Sequence, residues 1–181
     1  QLAKAREERD VSENRAKAMT ASMQRHGGVT ITPNNSVQRQ LPAINLPGVE
    51  SRRDGDVIRI VLPVDRLFEP GSARLRAGAD KLIDMEAAEV ARVYPGQRIG
   101  VEGHTDNAPV PAGPYRNHHQ LSVAWAVAVQ ETIIVQGRLQ ANQLAVSGHG
   151  LNHPLYSNAA PDGQQKNRRV ELVVFPERVG E

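Results

Sequence analysis

Arg98-Ile99-Gly100-Val101-Glu102-Gly103-His104-Thr105-Asp106 is the stretch on which the fold turns. Its first six residues read as a strand, because β-branched Ile99 and Val101 alternate with smaller or polar neighbours, and a polar turn follows. Immediately upstream stands the stop signal Pro95-Gly96, which closes a helix predicted over 77–93. There Leu82, Ile83, Ala87, Val90 and Ala91 recur at spacings near one helical turn. Downstream, 122–136 reads as a second, unusually apolar helix, with Gly137 placed to take the left-handed position after its end.

Further out, Val57-Ile58-Arg59-Ile60-Val61-Leu62 reads as a buried strand and Leu144-Ala145-Val146-Ser147-Gly148 as a short one. Residues 169–175 alternate polar with apolar, the pattern of a half-buried strand. The order β-α-β-α-β-β predicts an α/β (α+β) sandwich, a mixed sheet with two main helices on one face, over 48–179. Function is then expected in the loops at the strand ends. Before this domain, 1–25 is rich in Ala, Glu, Arg and Lys and reads as a helical stalk, while the Pro, Gly and Asn of 26–47 read as a linker or an arm laid on the domain.

Composition narrows the function. The chain has 181 residues, enough for one domain of ordinary size and an extension. It has no Cys, which removes disulfides, thiolate metal sites and cysteine nucleophiles. A net charge of +2 without a dense basic run, and 3% aromatic residues, give no footing for nucleic acid. No run approaches the ~20 apolar residues that span a bilayer. The first residue is Gln rather than Met, so the expectation is an anchored protein in the periplasm or cell envelope, tied to a membrane by a segment upstream. A homodimer is left open.

Four motifs stand in register with this strand and helix order: Phe68-Glu69-Pro70-Gly71-Ser72-Ala73, Gly103-His104-Thr105-Asp106, Leu121-Ser122 with Ala126 and Val129, and Asn167-Arg168-Arg169-Val170. Together they resemble the OmpA C-terminal-like family, over about the last two thirds of the chain. The Pro-rich insert Asn107-Ala108-Pro109-Val110-Pro111 resembles the MotB-type members. The resemblance implies non-covalent binding of peptidoglycan, with the diaminopimelate of the stem peptide as the residue read, and neither catalysis nor a cofactor. That residue ends in an ammonium and a carboxylate, so its receptor needs an anion beside a cation or a set of N–H donors. In the family the Asp of the His-Thr-Asp motif takes the ammonium, which here is Asp106.

The family's Arg, which takes the carboxylate, corresponds to Trp125 here, and the usual Asn three residues before Leu121 corresponds to His118. Trp offers one neutral N–H donor in place of a planar cation. The expected ligand-binding set is therefore Asp106, Arg168, Thr105, Asn167, Ser122, Trp125 and His118, with Arg116 and His119 as further cations of the variant loop, and an Arg restored at position 125 is expected to strengthen binding. Each has a plainer reading: an Asx turn for Asp106, a helix N-cap for Ser122, a strand-to-loop tie for Asn167 and Arg168, core or pocket wall for Trp125. Two other functions compete. His104, Asp106, His118 and His119 have ligand chemistry for a metal-dependent hydrolase, and the Trp125 replacement suits an interaction module that has lost wall binding.

Overall fold

The computed structural model of the protein describes Leu41 and residues 50–176, all of which lie in one compact unit. The stalk over 1–25 and all of the 26–47 arm except Leu41 lie outside the described residues. Five strands form one mixed sheet: β1 (Glu50–Asp54), β2 (Val57–Pro63), β3 (Ile99–His104), β4 (Leu144–Gly148) and β5 (Arg169–Val174), in the order β1-β2-β5-β3-β4. Only β3 and β4 run parallel; the other pairs are antiparallel. The two main helices are α2 (Ala79–Val93) and α3 (His118–Val135), and the short helices α1 (Val64–Leu67) and α4 (Pro161–Asn167) bracket the strand ends. No helix among the described residues is long and apolar enough to cross a membrane.

One face of the sheet supplies the apolar core. Ile58, Ile60, Leu62, Ile99, Val101, Val170, Leu172 and Val174 pack there against Ile83, Ala87 and Val90 of α2 and Leu121, Trp125, Ala126, Val129 and Ile133 of α3. Leu41, from the stretch read as linker or arm, is 5% exposed and belongs to this cluster, and its carbonyl accepts from Arg53 Nη2.

The opposite face departs from the predicted half-buried alternation. β5 is buried at every position, because the strand order places it in the middle of the sheet. Its outward pair, Arg169 and Glu171, is covered by an ionic cluster: Glu171 accepts from Arg169 at 2.7 Å, Arg59 at 2.7 Å and Arg52 at 3.0 Å, and Arg59 also reaches Glu102 at 2.8 Å. Arg52 comes from β1, which the sequence pattern does not announce. Its residues, Glu-Ser-Arg-Arg-Asp, are polar, and it is an edge strand held by the hairpin turn at Gly55, with φ of 59°.

Helix α3 begins earlier than predicted. Asn117 is its N-cap, accepting from Gln120 N–H at 2.9 Å, so Ser122 lies a turn inside the helix and is no cap. Ser122 is instead wholly buried, donating to the His119 carbonyl and accepting from Gly150 N–H, both at 3.0 Å. It sits on a glycine pair, Gly103 of β3 in register with Gly148 of β4. A Cβ on Gly103 would fall 1.9 Å from the Ser122 carbonyl oxygen, and one on Gly148 would fall 2.6 Å from the Val123 backbone nitrogen. The two glycines thus let the helix backbone touch the sheet, which brings the helix start beside the end of β3. Because backbone cannot rotate out of the way, Gly103→Ala is expected to cost at least the roughly 1–3 kcal/mol of ordinary overpacking. A lowered urea midpoint with an unchanged m-value would register it.

Candidate functional site

A cleft of about 480 Å³ opens where α1, the 68–76 loop, the end of β3, the Pro-rich 107–111 loop and the start of α3 meet. Asp106, Thr105, His118, Trp125 and Arg168 line it, together with Asp65, Glu69, Arg76 and Leu121. Five of the seven residues expected to bind ligand are thereby brought together from three separate motifs. Ser122 and Asn167 are not among the lining residues. Ser122 is spent on the helix-to-sheet contact. Asn167 is buried behind the site, where its oxygen accepts from Leu155 and Tyr156 N–H at 2.9 and 3.0 Å and its nitrogen donates to the Tyr156 carbonyl and Asn158 Oδ1, both at 2.8 Å. That uses the amide's two donors and both lone pairs of its oxygen, and it pins the 155–158 loop.

Asp106 is 4% exposed, and both of its oxygens are engaged: Oδ1 accepts from Ala108 N–H at 3.2 Å, and Oδ2 accepts from Arg168 Nη1 at 2.5 Å. The first contact is the Asx turn that starts the Pro-rich loop. The second makes a charge-assisted pair between two motifs 62 residues apart. Arg168 also reaches Asp65 at 3.3 Å. Partial burial works against its charge, but the hydrogen bonds to Asp65 and Asp106 outweigh that cost and raise its pKa. The guanidinium is thus held between two carboxylates.

Asp65 was not singled out from the sequence. It lies outside the recognised motifs, on a four-residue helix, and its only signal is an acidic residue three positions before Phe68. With Glu69 it gives the lining three carboxylates, Asp65, Asp106 and Glu69, against two guanidinium groups, Arg76 and Arg168. The surplus is one negative charge, a field that favours an ammonium.

The first turn of α3 enters the cleft through His118 and Leu121. Leu121 N–H bonds Asn117 O within the turn and Gln120 N–H is capped by Asn117, which leaves the amides of His118 and His119 as the first-turn donors without an intrahelical acceptor. His118 Nδ1 shares a 3.0 Å hydrogen bond with Thr105 Oγ1, fixing that ring beside Asp106. Trp125 is 2% exposed, stacks on Phe68 with ring centroids 6.2 Å apart, and donates its indole N–H to the Ser72 carbonyl at 2.8 Å. It is a wall that braces the 68–72 loop, its one donor already used. An Arg at this position would forfeit the stack and bury a guanidinium, so the gain expected for a restored cation is opposed by lost packing.

His104 is turned away from all of this. It lines a separate, smaller pocket on the ionic face, with Glu102, His149 and His153. Among the described residues the set close enough to share a metal ion is Glu102, His104 and His149, so the combination of His104 with Asp106, His118 and His119 is not assembled. Burial, then the positive charge of Arg169, push the His104 imidazole down to a pKa of about 3, so it is neutral at physiological pH.

The chain is similar to known proteins in sequence and in fold. The OmpA family profile matches residues 67–168, which contain every residue of the cleft except Val64 and Asp65. Motility protein B of Bacillus subtilis is 29% identical over 133 residues, 74% of this chain and 51% of that protein. The probable lipoprotein YiaD of Escherichia coli is 34% identical over 130 residues, 71% of this chain and 56% of its own length. The chain thus spans about half the length of these relatives. Among solved structures, the cell wall anchor of the T6SS from Pseudomonas aeruginosa superposes with a TM-score of 0.64 at 29% identity, covering 71% of this chain and 88% of that one. The family match over more than half of the chain establishes that this protein belongs to the OmpA family.

Proposed function

We propose that the cleft binds peptidoglycan non-covalently, through the zwitterionic end of a diaminopimelate in the stem peptide, and so ties an envelope protein to the cell wall. The observation that carries this is the cleft floor: Asp106 and Asp65 flank Arg168, and the first turn of α3 lines the same cleft through His118 and Leu121. The ligand ammonium replaces or joins Arg168 at Asp106, and the carboxylate is met by the α3 amides and the positive end of its helix dipole. The relatives support this assignment, one being a motility protein, one a probable lipoprotein and one a cell wall anchor. In this reading the protein acts in the periplasm and a membrane tether lies outside the domain.

The Thr105 hydroxyl and the His118 ring are hydrogen-bonded to each other, but Asp106 is paired with Arg168 and does not orient that ring, so the site is read as a receptor rather than an enzyme. Cosedimentation of the full chain with purified sacculi tests the proposal. Pelleting that free meso-diaminopimelate reduces is the expected result. A protein that stays in the supernatant at every sacculus concentration would favour an interaction module that has lost wall binding, the reading suggested by Trp125 standing where the family has Arg.

A further inference from the structure

The smaller pocket on the ionic face, about 250 Å³, has no part in the wall-binding site, yet it holds the most unusual side chain of the domain. His104 is 3% exposed, and neither of its ring nitrogens has a hydrogen-bond partner. A neutral imidazole carries one N–H and one lone pair, and leaving such groups buried and unmet is costly. The lone pair is also what a metal ligand needs. Around it the fold gathers ligands from two directions. Glu102 comes from the same face of β3, two residues earlier. His149 comes from the loop leaving β4 and lies ring over ring on His104, with centroids 4.8 Å apart.

We propose that Glu102, His104 and His149 form a binding site for a divalent cation of the zinc class, with the His153 ring at its edge. Two imidazoles and one carboxylate, without thiolates, are a borderline donor set that suits zinc better than calcium or magnesium. Ligands bound tetrahedrally at about 2.0–2.1 Å lie roughly 3.3 Å from one another. His149 Nε2 is already 3.4 Å from Glu102 Oε2, and His104 Nε2 is 3.9 Å from the same oxygen. The three ligand atoms all fall within 4.8 Å. His153 stands edge-on to His149, at 4.9 Å between ring centroids, on the same loop.

An outer partner is present for the carboxylate as well. Arg59 holds the carboxylate of Glu102 at 2.8 Å. The positive charges of Arg52, Arg59 and Arg169 are offset by Asp54, Glu102 and Glu171 in the same pocket lining, so an added cation does not meet a net positive field. Such a cation would clip the loop after β4 onto β3, one residue before Thr105 and two before Asp106.

Titration of the chelator-stripped full chain with zinc chloride, by calorimetry and by NMR of the histidine ring protons, tests this. One equivalent should bind, shifting the rings of His104 and His149, and zinc should raise the melting temperature. His149→Ala, at a partly exposed ring, should weaken binding by at least about tenfold, the loss that even an outer-shell partner causes, and Glu102→Gln should do the same. Absence of saturable binding would overturn the assignment. Ring shifts confined to His26, His118 and His119, or an affinity unchanged in both variants, would overturn it equally.

Discussion

Asp106→Ala is expected to release the protein from sacculi while leaving its thermal melt close to wild type. Asp106 is the most buried carboxylate of the cleft, at 4% exposure, and is fixed by the Ala108 amide, so it presents a pre-oriented anion to an arriving ammonium. Removing one partner of a desolvated charge pair typically costs about 2–5 kcal/mol of binding. The fold should tolerate the change, since Arg168 keeps Asp65 at 3.3 Å and is itself 31% exposed in its side chain. Asp65→Ala should weaken pelleting less, because that carboxylate is 39% exposed and better screened by water. Sacculus pelleting by Asp106→Ala at the wild-type level would remove this residue from the binding site.

Glu171→Ala is the change expected to damage the fold most. Its carboxylate is wholly buried and is the common acceptor of Arg169, Arg59 and Arg52. Truncation would leave Arg169, itself 2% exposed, without its counter-ion, and breaking a buried pair by removing one partner costs about 3–5 kcal/mol. Burial alone would raise the Glu171 pKa, but the three guanidinium groups outweigh it and hold the value at about 2, against an ordinary 4.5. A folded-state pKa below the unfolded one gives stability that is present above pH 4.5 and is lost as the pH falls toward about 2. Chemical denaturation across that range should therefore show the wild type losing stability in acid and the variant, already weakened at neutral pH, losing less. Equal acid slopes for the two proteins would show that Glu171 is not the titrating group.

The elements whose signal is local were legible in the sequence. Periodicity marked β2, α2, β3, β4 and β5, the stop at Pro95-Gly96 closed α2 near its observed end, and the motif order pointed to the family that the comparisons establish. Asp106, Thr105, His118, Trp125 and Arg168 were each named from motifs, and the cleft contains all five. Hydrophobic spacing and turn chemistry act over a few residues, so one stretch of chain carries them without knowing its neighbours.

Tertiary structure decided what depends on distant partners. β5 lies between β2 and β3, and this position buries Arg169 and Glu171, whose polar identity had read as a solvated face. The indole of Trp125 is claimed by a carbonyl 53 residues away, and Arg168 by a carboxylate 62 residues away. Gly103 and Gly148 have meaning only as a pair under α3, where any side chain would strike the helix backbone. His104, read within a binding motif, faces the other side of the sheet, because successive side chains on a strand point to opposite faces and only the packing of α3 shows which face is the core.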